Sequence, residues 1–315
     1  MIESIKNNGK FASDLKRIEG IMLRNVRSRH ENVEEVLTGM IRKGGKKLRP
    51  IFLLLGSAFG TVKSVEAYEA AAAIEMIHMA TLIHDDIIDE ATLRRGQITA
   101  QSKFGKDYAV FMGDFLMNRS VGLLKGKNFI DDVLHGTEKV FYGEMLQYNN
   151  RYVRNTSVST YIRVAANKTA SLFALSLYLG AKISCCDPEL CYRLRRIGYY
   201  FGLSFQIMDD VLDFTANEKS IGKDVQNDIK MGFYTLPIIY TARKDEGVWE
   251  LIEEEQFEEM TLAIEKSRGL EKTIDLAQKY IIKAKKEISA LPDIQEKQIL
   301  AGLLSQLGNA LQIAV

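Results

Sequence analysis

Proline is scarce in this chain of 315 residues: only Pro50, Pro188, Pro237 and Pro292 interrupt it. With breakers so rare, and with segments such as EAYEAAAAIEMIHMATLIH stepping in threes and fours, an all-α protein with one large core is expected. No low-complexity linker divides the sequence, so residues 1–315 read as a single domain. Cysteine is equally sparse. Cys185, Cys186 and Cys191 are odd in number, crowd together and lack metal-ligand spacing. This argues against a disulfide framework and for reduced structural thiols in a cytoplasmic protein. An excess of one charge is missing too: a net charge of +1 gives no broad electrostatic case for nucleic acid as a partner. The apolar run IFLLLGSAFG falls well short of the roughly 20 residues that span a bilayer, and MIESIKNNGKF has no signal-peptide core. A soluble protein is expected.

The few breakers organise what is there. Helical patterning runs to about residue 43, where Gly44 and Gly45 end it, and GGKKLRP leads into a new helix from Pro50. In CDPEL, Asp187 reads as an N-cap with Pro188 just inside the helix. Strands are hard to find. GKDVQNDIKMGFYTLP, polar and closed by Pro237, reads as one long ordered loop.

Against this background the stretch LIHDDIIDEATLRRG sets Asp85, Asp86 and Asp89 at the end of an apolar helix and follows them with Arg94 and Arg95. Two carboxylates about 5 Å apart repel by roughly 3 kcal/mol at an effective dielectric near 20, so such a cluster weakens an empty protein. Asp85 and Asp89 share a helical face, while Asp86 is turned about 100° away. The pair suits a hard divalent cation such as magnesium, which takes one or two carboxylates and completes its shell with water and phosphate oxygens. Arginines beside it suit the phosphate. An acidic helix end with ordinary ion pairs would look the same in isolation.

The motif recurs. FQIMDDVLDF places Asp209, Asp210 and Asp213 with the same spacing, 124 residues on from Asp86 to Asp210. Upstream, Leu194, Ile197, Phe201, Phe205, Met208 and Leu212 form one helical stripe that reads as core. The helix dipole already disfavours negative charge at that end, so acids there argue for a function rather than a structural role. The two trios are expected to form two walls of one metal-filled cavity.

In GGKKLRP, EMIHMATLIHDDIIDEATLRRG, GDFL, GEMLQ, NKTASLF, FQIMDDVLDF and GKDVQNDIKMGFYTLP, in that order, the chain resembles the trans-polyprenyl diphosphate synthases. The likeness is closest to the catalytic large subunits of bacterial hexaprenyl and heptaprenyl diphosphate synthases. The resemblance implies a helical bundle around a deep central cavity, acting as a homodimer or as a heterodimer with a small subunit. It implies that isopentenyl diphosphate condenses with an allylic prenyl diphosphate, with transient membrane contact for release of a product of quinone side-chain type. Both aspartate trios would bind magnesium, three ions per active site, with Asp228 reaching a metal through water. Arg94 would join them on the allylic diphosphate. Lys46, Arg49, His78 and Arg95 match the isopentenyl diphosphate site. Lys168, Thr169, Gln206 and Lys223 match residues that bind the leaving diphosphate or border the developing cation. Taken alone, His78 is an ordinary core histidine, and Thr169 and Gln206 are helix polar groups satisfied locally.

Three positions depart from the pattern. Phe233 stands where a lysine commonly precedes T-L-P, with Lys230 as the expected substitute; Ile98 and Asp224 stand where prolines are frequent. Product length should depend on what lies beneath Asp85. Thr81, Ala80 and Ile77 follow going back along the helix, and Ile74 is about 16 Å down. None is aromatic, whereas short-chain members of the family the chain resembles carry a bulky aromatic ring there, so the resemblance implies a product of about six or more isoprene units. A short-chain farnesyl or geranylgeranyl synthase is one rival. A partner-dependent or non-catalytic subunit that binds prenyl diphosphates is another, which Phe233 keeps open. A terpene cyclase would carry a different second metal motif, and a calcium module would need a D-x-D-x-D-G loop that neither trio has.

Overall fold

The computed structural model describes residues 9–94, 96–215 and 223–313. From the N-terminus the chain forms α1 (Gly9–Asn25), α2 (Glu31–Arg42), α3 (Leu48–Ser57) and α4 (Val65–Ile88). A two-residue antiparallel hairpin follows, β1 (Leu93–Arg94) and β2 (Gln97–Ile98), with Leu93 opposite Ile98 and Arg94 opposite Gln97. Next come α5 (Ala100–Phe104), α6 (Lys106–Gly122), α7 (Ile130–Asn149) and α8 (Val158–Ala165), and a π-helical turn over Ala166–Ala170 leads into α9 (Ser171–Ile183). α10 (Pro188–Thr215) carries the second aspartate trio. Then follow α11 (Lys223–Lys230), α12 (Leu236–Ala242), α13 (Val248–Glu253), α14 (Phe257–Ser267), α15 (Gly269–Ser289) and α16 (Gln295–Ile313). Among the described residues no helix is long and apolar enough to cross a membrane.

Two compact units result, Met1–Thr137 with Leu175–Leu194, and Glu138–Ala174 with Arg195–Val315. The first is organised around α4. Ser64 caps it by accepting from the Glu66 backbone N–H at 3.1 Å. Ala70, Ala71, Ala72, Ala73, Ile74, Met76, Ile77 and Ala80 are all fully buried. A helix apolar on every side belongs at the centre of a core, and α1, α3 and α6 pack against it. Glycines set how closely neighbours approach. A Cβ at Gly180 would stand 2.0 Å from the Leu53 carbonyl oxygen, and one at Gly56 2.3 Å from that of Leu177, so α3 and α9 meet backbone to backbone.

In the second unit, Phe173 packs on Phe201 and Phe205 of α10 with ring centroids 5.3 and 5.7 Å apart. Ile229, Ile238, Val248, Trp249, Met260 and Ile264 form a further cluster, on which Phe214 and Tyr234 also rest.

The expected punctuation holds at several points. α1 and α2 lie within the N-terminal helical stretch, and the Asp187 carboxylate accepts from the Leu190 backbone N–H at 3.0 Å, the N-cap read from CDPEL. α3 starts two residues earlier than Pro50, with Lys47 in the left-handed region at its N-cap. The segment read as one long loop is largely helical, as α11 and the first turn of α12. The reason is tertiary: Ile229 is buried in the Trp249 and Met260 cluster, which stabilises a helix too short to stand alone. The α10 stripe is core at Leu194, Ile197, Phe201 and Met208, but Leu212 is 38 % exposed, because Val211 and Phe214 take the buried directions at that end.

Candidate active site

In the first unit the trio closes α4. Asp85 and Asp86 lie in its last turn, and Asp89 is the C-cap, donating its backbone N–H to the Asp85 carbonyl at 2.8 Å. Asp85 and Asp89 are half-buried, and Asp86 is buried. Arg94 returns from the hairpin and its Nε donates to Asp86 Oδ1 at 2.5 Å. Burial pushes the Asp86 carboxyl above the usual carboxylate range; Arg94 pulls it back, and the neighbouring charge of Asp85 adds to the rise. The two Nη groups of Arg94 have no partner among the described residues. Arg95 lies outside the described residues.

His78 is half-buried about 10 Å before Asp85 along α4, and the Thr81 hydroxyl donates to its carbonyl at 2.8 Å. Lys46 is exposed and Arg49 half-buried at the start of α3. Lys47 between them is tied to Glu19 of α1 at 2.5 Å. Ile77 and Ala80 are fully buried and Thr81 is buried, one to two turns back from Asp85 along α4.

One residue that sequence reasoning passed over is His84. Its ring fills the space at Gly113, where a Cβ would lie 2.2 Å from Nε2, and that nitrogen stands 3.4 Å from Asp114 Oδ1. The GDFL string is thereby explained: its glycine makes room for the imidazole, and its aspartate faces it.

In the second unit Asp210 is the buried member of the trio, Asp209 is half-buried and Asp213 exposed. Asp210 Oδ1 accepts from Gln206 Nε2 at 3.0 Å, and Oδ2 accepts a short hydrogen bond from the Tyr161 hydroxyl. Gln206 Oε1 in turn accepts from the Thr169 hydroxyl at 2.7 Å. Burial raises Asp210 to about 7; Tyr161 and Gln206 lower it in part, and Asp213 and Asp209 push it back up. Tyr161 is held well above the ordinary phenol value by burial and by the Asp210 charge, so its hydroxyl stays a donor. Thr169 and Gln206, which the sequence alone treats as locally satisfied, are thus two links of one chain ending on the central carboxylate.

Lys168 sits in the π-helical turn, and its ammonium meets Glu144 at 2.7 Å and Gln147 at 2.9 Å. Such turns recur at functional sites because they re-aim a side chain without ending the helix. GEMLQ supplies both partners, and its Gly143 lets the backbone at Lys168 approach, since a Cβ there would stand 2.5 Å from the Lys168 backbone nitrogen. Lys223 opens α11, but its side chain lies outside the described residues. Lys230 is engaged elsewhere, by Glu255 at 2.6 Å. Neither Tyr161 nor Glu144 was marked by spacing; their partners stand 49 and 24 residues away, separations that carry no periodic signal.

The donors at both helix ends are carboxylate oxygens, the ligand type of a hard cation. Among the described residues, no three acidic, histidine or cysteine side chains come close enough to hold an ion by themselves. Carboxylate oxygens of this kind suit a hard cation, whose shell water and phosphate oxygens commonly complete.

Comparison with known proteins agrees with this chemistry. The Polyprenyl synthetase family profile matches residues 30–267. The chain is 35% identical over 309 residues to heptaprenyl diphosphate synthase component 2 of Geobacillus stearothermophilus, covering 95% of this chain and 96% of that protein. The crystal structure of heptaprenyl diphosphate synthase from Staphylococcus aureus matches with a TM-score of 0.87 at 33% identity, over 95% of this chain and 98% of that one. A polyprenyl synthase from Caulobacter crescentus CB15, complexed with calcium and isoprenyl diphosphate, matches with a TM-score of 0.87 at 27% identity, over 98% and 97% of the two chains. The chain belongs to the polyprenyl synthetase family, magnesium-dependent prenyltransferases that elongate prenyl diphosphates.

Proposed function

We propose that this chain, working as a single catalytic domain in the cytoplasm, is a long-chain trans-polyprenyl diphosphate synthase. The observation that carries the reading is the pair of aspartate trios at helix ends, each with its central carboxylate buried and held by a dedicated donor. Asp85, Asp86 and Asp89 on α4, and Asp209, Asp210 and Asp213 on α10, would hold three magnesium ions. Bound there, magnesium supplies the positive charge that lets a diphosphate leave an allylic carbon.

The side chains do the rest. Arg94 steadies Asp86 through Nε and keeps its Nη donors for diphosphate oxygens. Lys168, oriented by Glu144 and Gln147, and Lys223 add charge as the leaving group develops. Thr169 and Gln206 hold the Asp210 carboxylate, and their oxygens favour a cation forming nearby. Lys46, Arg49, His78 and Arg95 bind isopentenyl diphosphate, whose double bond attacks the allylic cation. Fixing both reactants removes much of the entropic barrier. The proton lost in forming the new double bond goes to the released diphosphate, so no side-chain base is named.

The lack of an aromatic side chain at Ile77, Ala80 and Thr81, one to two turns back from Asp85, supports a product of about six or more isoprene units. The name "component 2" of the Geobacillus relative supports a reading in which this chain needs a second, smaller subunit for full activity. The deciding experiment is incubation of the purified chain with farnesyl diphosphate, labelled isopentenyl diphosphate and magnesium. Long prenyl products support the synthase; short products revise the chain-length reading. Absence of product that persists when a small subunit is supplied would reject catalysis.

Two further outcomes are expected. Magnesium alone should barely move the melting temperature, whereas magnesium with inorganic diphosphate should raise it by several degrees. An equal rise with magnesium alone would contradict an ion shell completed by phosphate. Tyr161→Phe removes one donor from a buried carboxylate at a stability cost of about 1–2 kcal/mol. It should lower kcat roughly tenfold and raise the magnesium concentration needed for half-maximal rate, as a metal titration of initial rates would show.

A further inference from the structure

Arg151, in the turn after α7, sits among three aromatic rings. Its guanidinium carbon lies 5.3 Å from the ring centroids of Tyr148 and Tyr152 and 5.2 Å from that of Phe233. Its Nε donates to the Met231 carbonyl at 2.7 Å. The same turn grips the segment after α11 twice more: the Tyr152 backbone N–H donates to the Gly232 carbonyl at 3.0 Å, and the Tyr152 hydroxyl to the Lys230 carbonyl at 3.2 Å. Gly232 has φ of +79°, and a Cβ there would stand 2.6 Å from the Tyr152 ring, so only glycine allows this closeness.

Arg154 pairs with Glu253, Lys168 with Glu144 and Lys230 with Glu255, yet no carboxylate pairs with Arg151 among the described residues. Aromatic faces, the Met231 carbonyl and, more loosely, the Tyr152 hydroxyl at 3.4 Å and the Met231 sulfur at 3.8 Å from Nη2 hold the cation in place and do not neutralise it. A half-buried guanidinium held rigidly without a counter-ion favours binding an anion, and its planar fork matches phosphate oxygens. Arg151 and the second trio belong to the same compact unit. Phe214, one residue past Asp213, and Tyr234, one residue past Phe233, rest on the same apolar cluster. In sequence Arg151 falls between Gln147, which orients Lys168, and Tyr161, which bonds Asp210.

We propose that Arg151 binds the diphosphate of the allylic substrate and supplies the positive charge that is absent at Phe233. The phenylalanine then has a part of its own: its ring is one wall that fixes the guanidinium. Lys230 is drawn toward Glu255 at 2.6 Å, and the Lys230→Ala variant tests whether it shares this place. The proposal rests on the synthase reading above.

The test compares Arg151→Ala, Arg151→Lys, Arg151→Gln, Phe233→Lys and the double variant Arg151→Ala/Phe233→Lys, with Lys230→Ala as control. Initial rates are measured with farnesyl diphosphate and isopentenyl diphosphate, and farnesyl diphosphate binding by calorimetry with magnesium. Arg151→Ala is expected to raise the KM for farnesyl diphosphate about tenfold and leave that for isopentenyl diphosphate within twofold. Arg151→Gln, which keeps a donor for Met231 without the charge, should resemble alanine, and Arg151→Lys should recover most of the affinity. Phe233→Lys alone brings two cations together and should weaken binding, whereas in the Arg151→Ala background it should restore the KM to within about threefold of wild type. Additive single effects, glutamine behaving like arginine, or a change in the isopentenyl diphosphate KM only would overturn the proposal. If wild type binds farnesyl diphosphate and Arg151→Ala binds it equally, this proposal falls and the synthase reading stands. If wild type neither binds nor turns it over, both fall.

Discussion

Asp210→Asn is expected to lower turnover by about a thousandfold while raising the melting temperature of the metal-free protein by a few degrees at pH 8. The two effects have one cause. Asp210 is buried beside Asp209 and Asp213, and burial holds its carboxyl at about 7, so folding without a cation works against the ionised form. Asparagine keeps an oxygen for Gln206, its amide can donate to the Tyr161 hydroxyl oxygen, and the charge is gone. What is lost, on the proposed reading, is a negative group for magnesium. The pH dependence fixes the sign. With a folded value raised above the unfolded one, wild type binds the extra proton in the folded state, so its stability falls as pH rises from about 4 to about 7 and stays low above that. The advantage of the asparagine variant should therefore open over that interval and be absent near pH 4. Thermal scans in EDTA at several pH values, set beside steady-state rates in magnesium, test both halves. A variant that loses activity and is less stable at pH 8 would mean that the carboxylate is structural.

Ala80→Phe should convert the product spectrum from long chains to short ones, the largest qualitative change expected from any single substitution here. Ala80 is fully buried on α4, between Ile77 and Thr81 under the first trio. Phenylalanine adds a ring where the growing chain would extend, so elongation should stop early, while the first condensation on farnesyl diphosphate keeps its rate. Burial makes a second outcome informative. If Ala80 faces packed side chains rather than space for product, the ring overpacks the core, at a cost of about 1–3 kcal/mol. Mass analysis of products together with a melting curve separates the cases. Short products from a stable variant support the open column; unchanged long products from an active variant would dismiss it.

Much of this protein was legible before any coordinates. The Asp187 cap, the break at Gly44 and Gly45 and the two D-D-x-x-D ends depend on residues within four positions of one another, where backbone geometry alone sets who can meet whom. The Ala-rich pattern of α4 likewise announced a buried helix, because small side chains on every face suit only a core. Reading failed where a short element depends on distant packing. α11 has only eight residues and a polar sequence, and it is helical because Ile229 finds the Trp249 and Met260 cluster.

The residue types and their local spacing determined that this is a helical protein with two acidic helix ends suited to divalent cations, together with the strings that place it in its family. Only the tertiary structure decided which carboxylate of each trio is buried and which groups touch it. Arg94 on Asp86, Tyr161 and Gln206 on Asp210, Glu144 on Lys168 and Arg151 among its three rings are all products of packing. Helical spacing governs contacts within a turn, whereas contacts across tens of residues follow from how apolar faces bury one another. No pattern local to Tyr161 or Arg151 records that outcome.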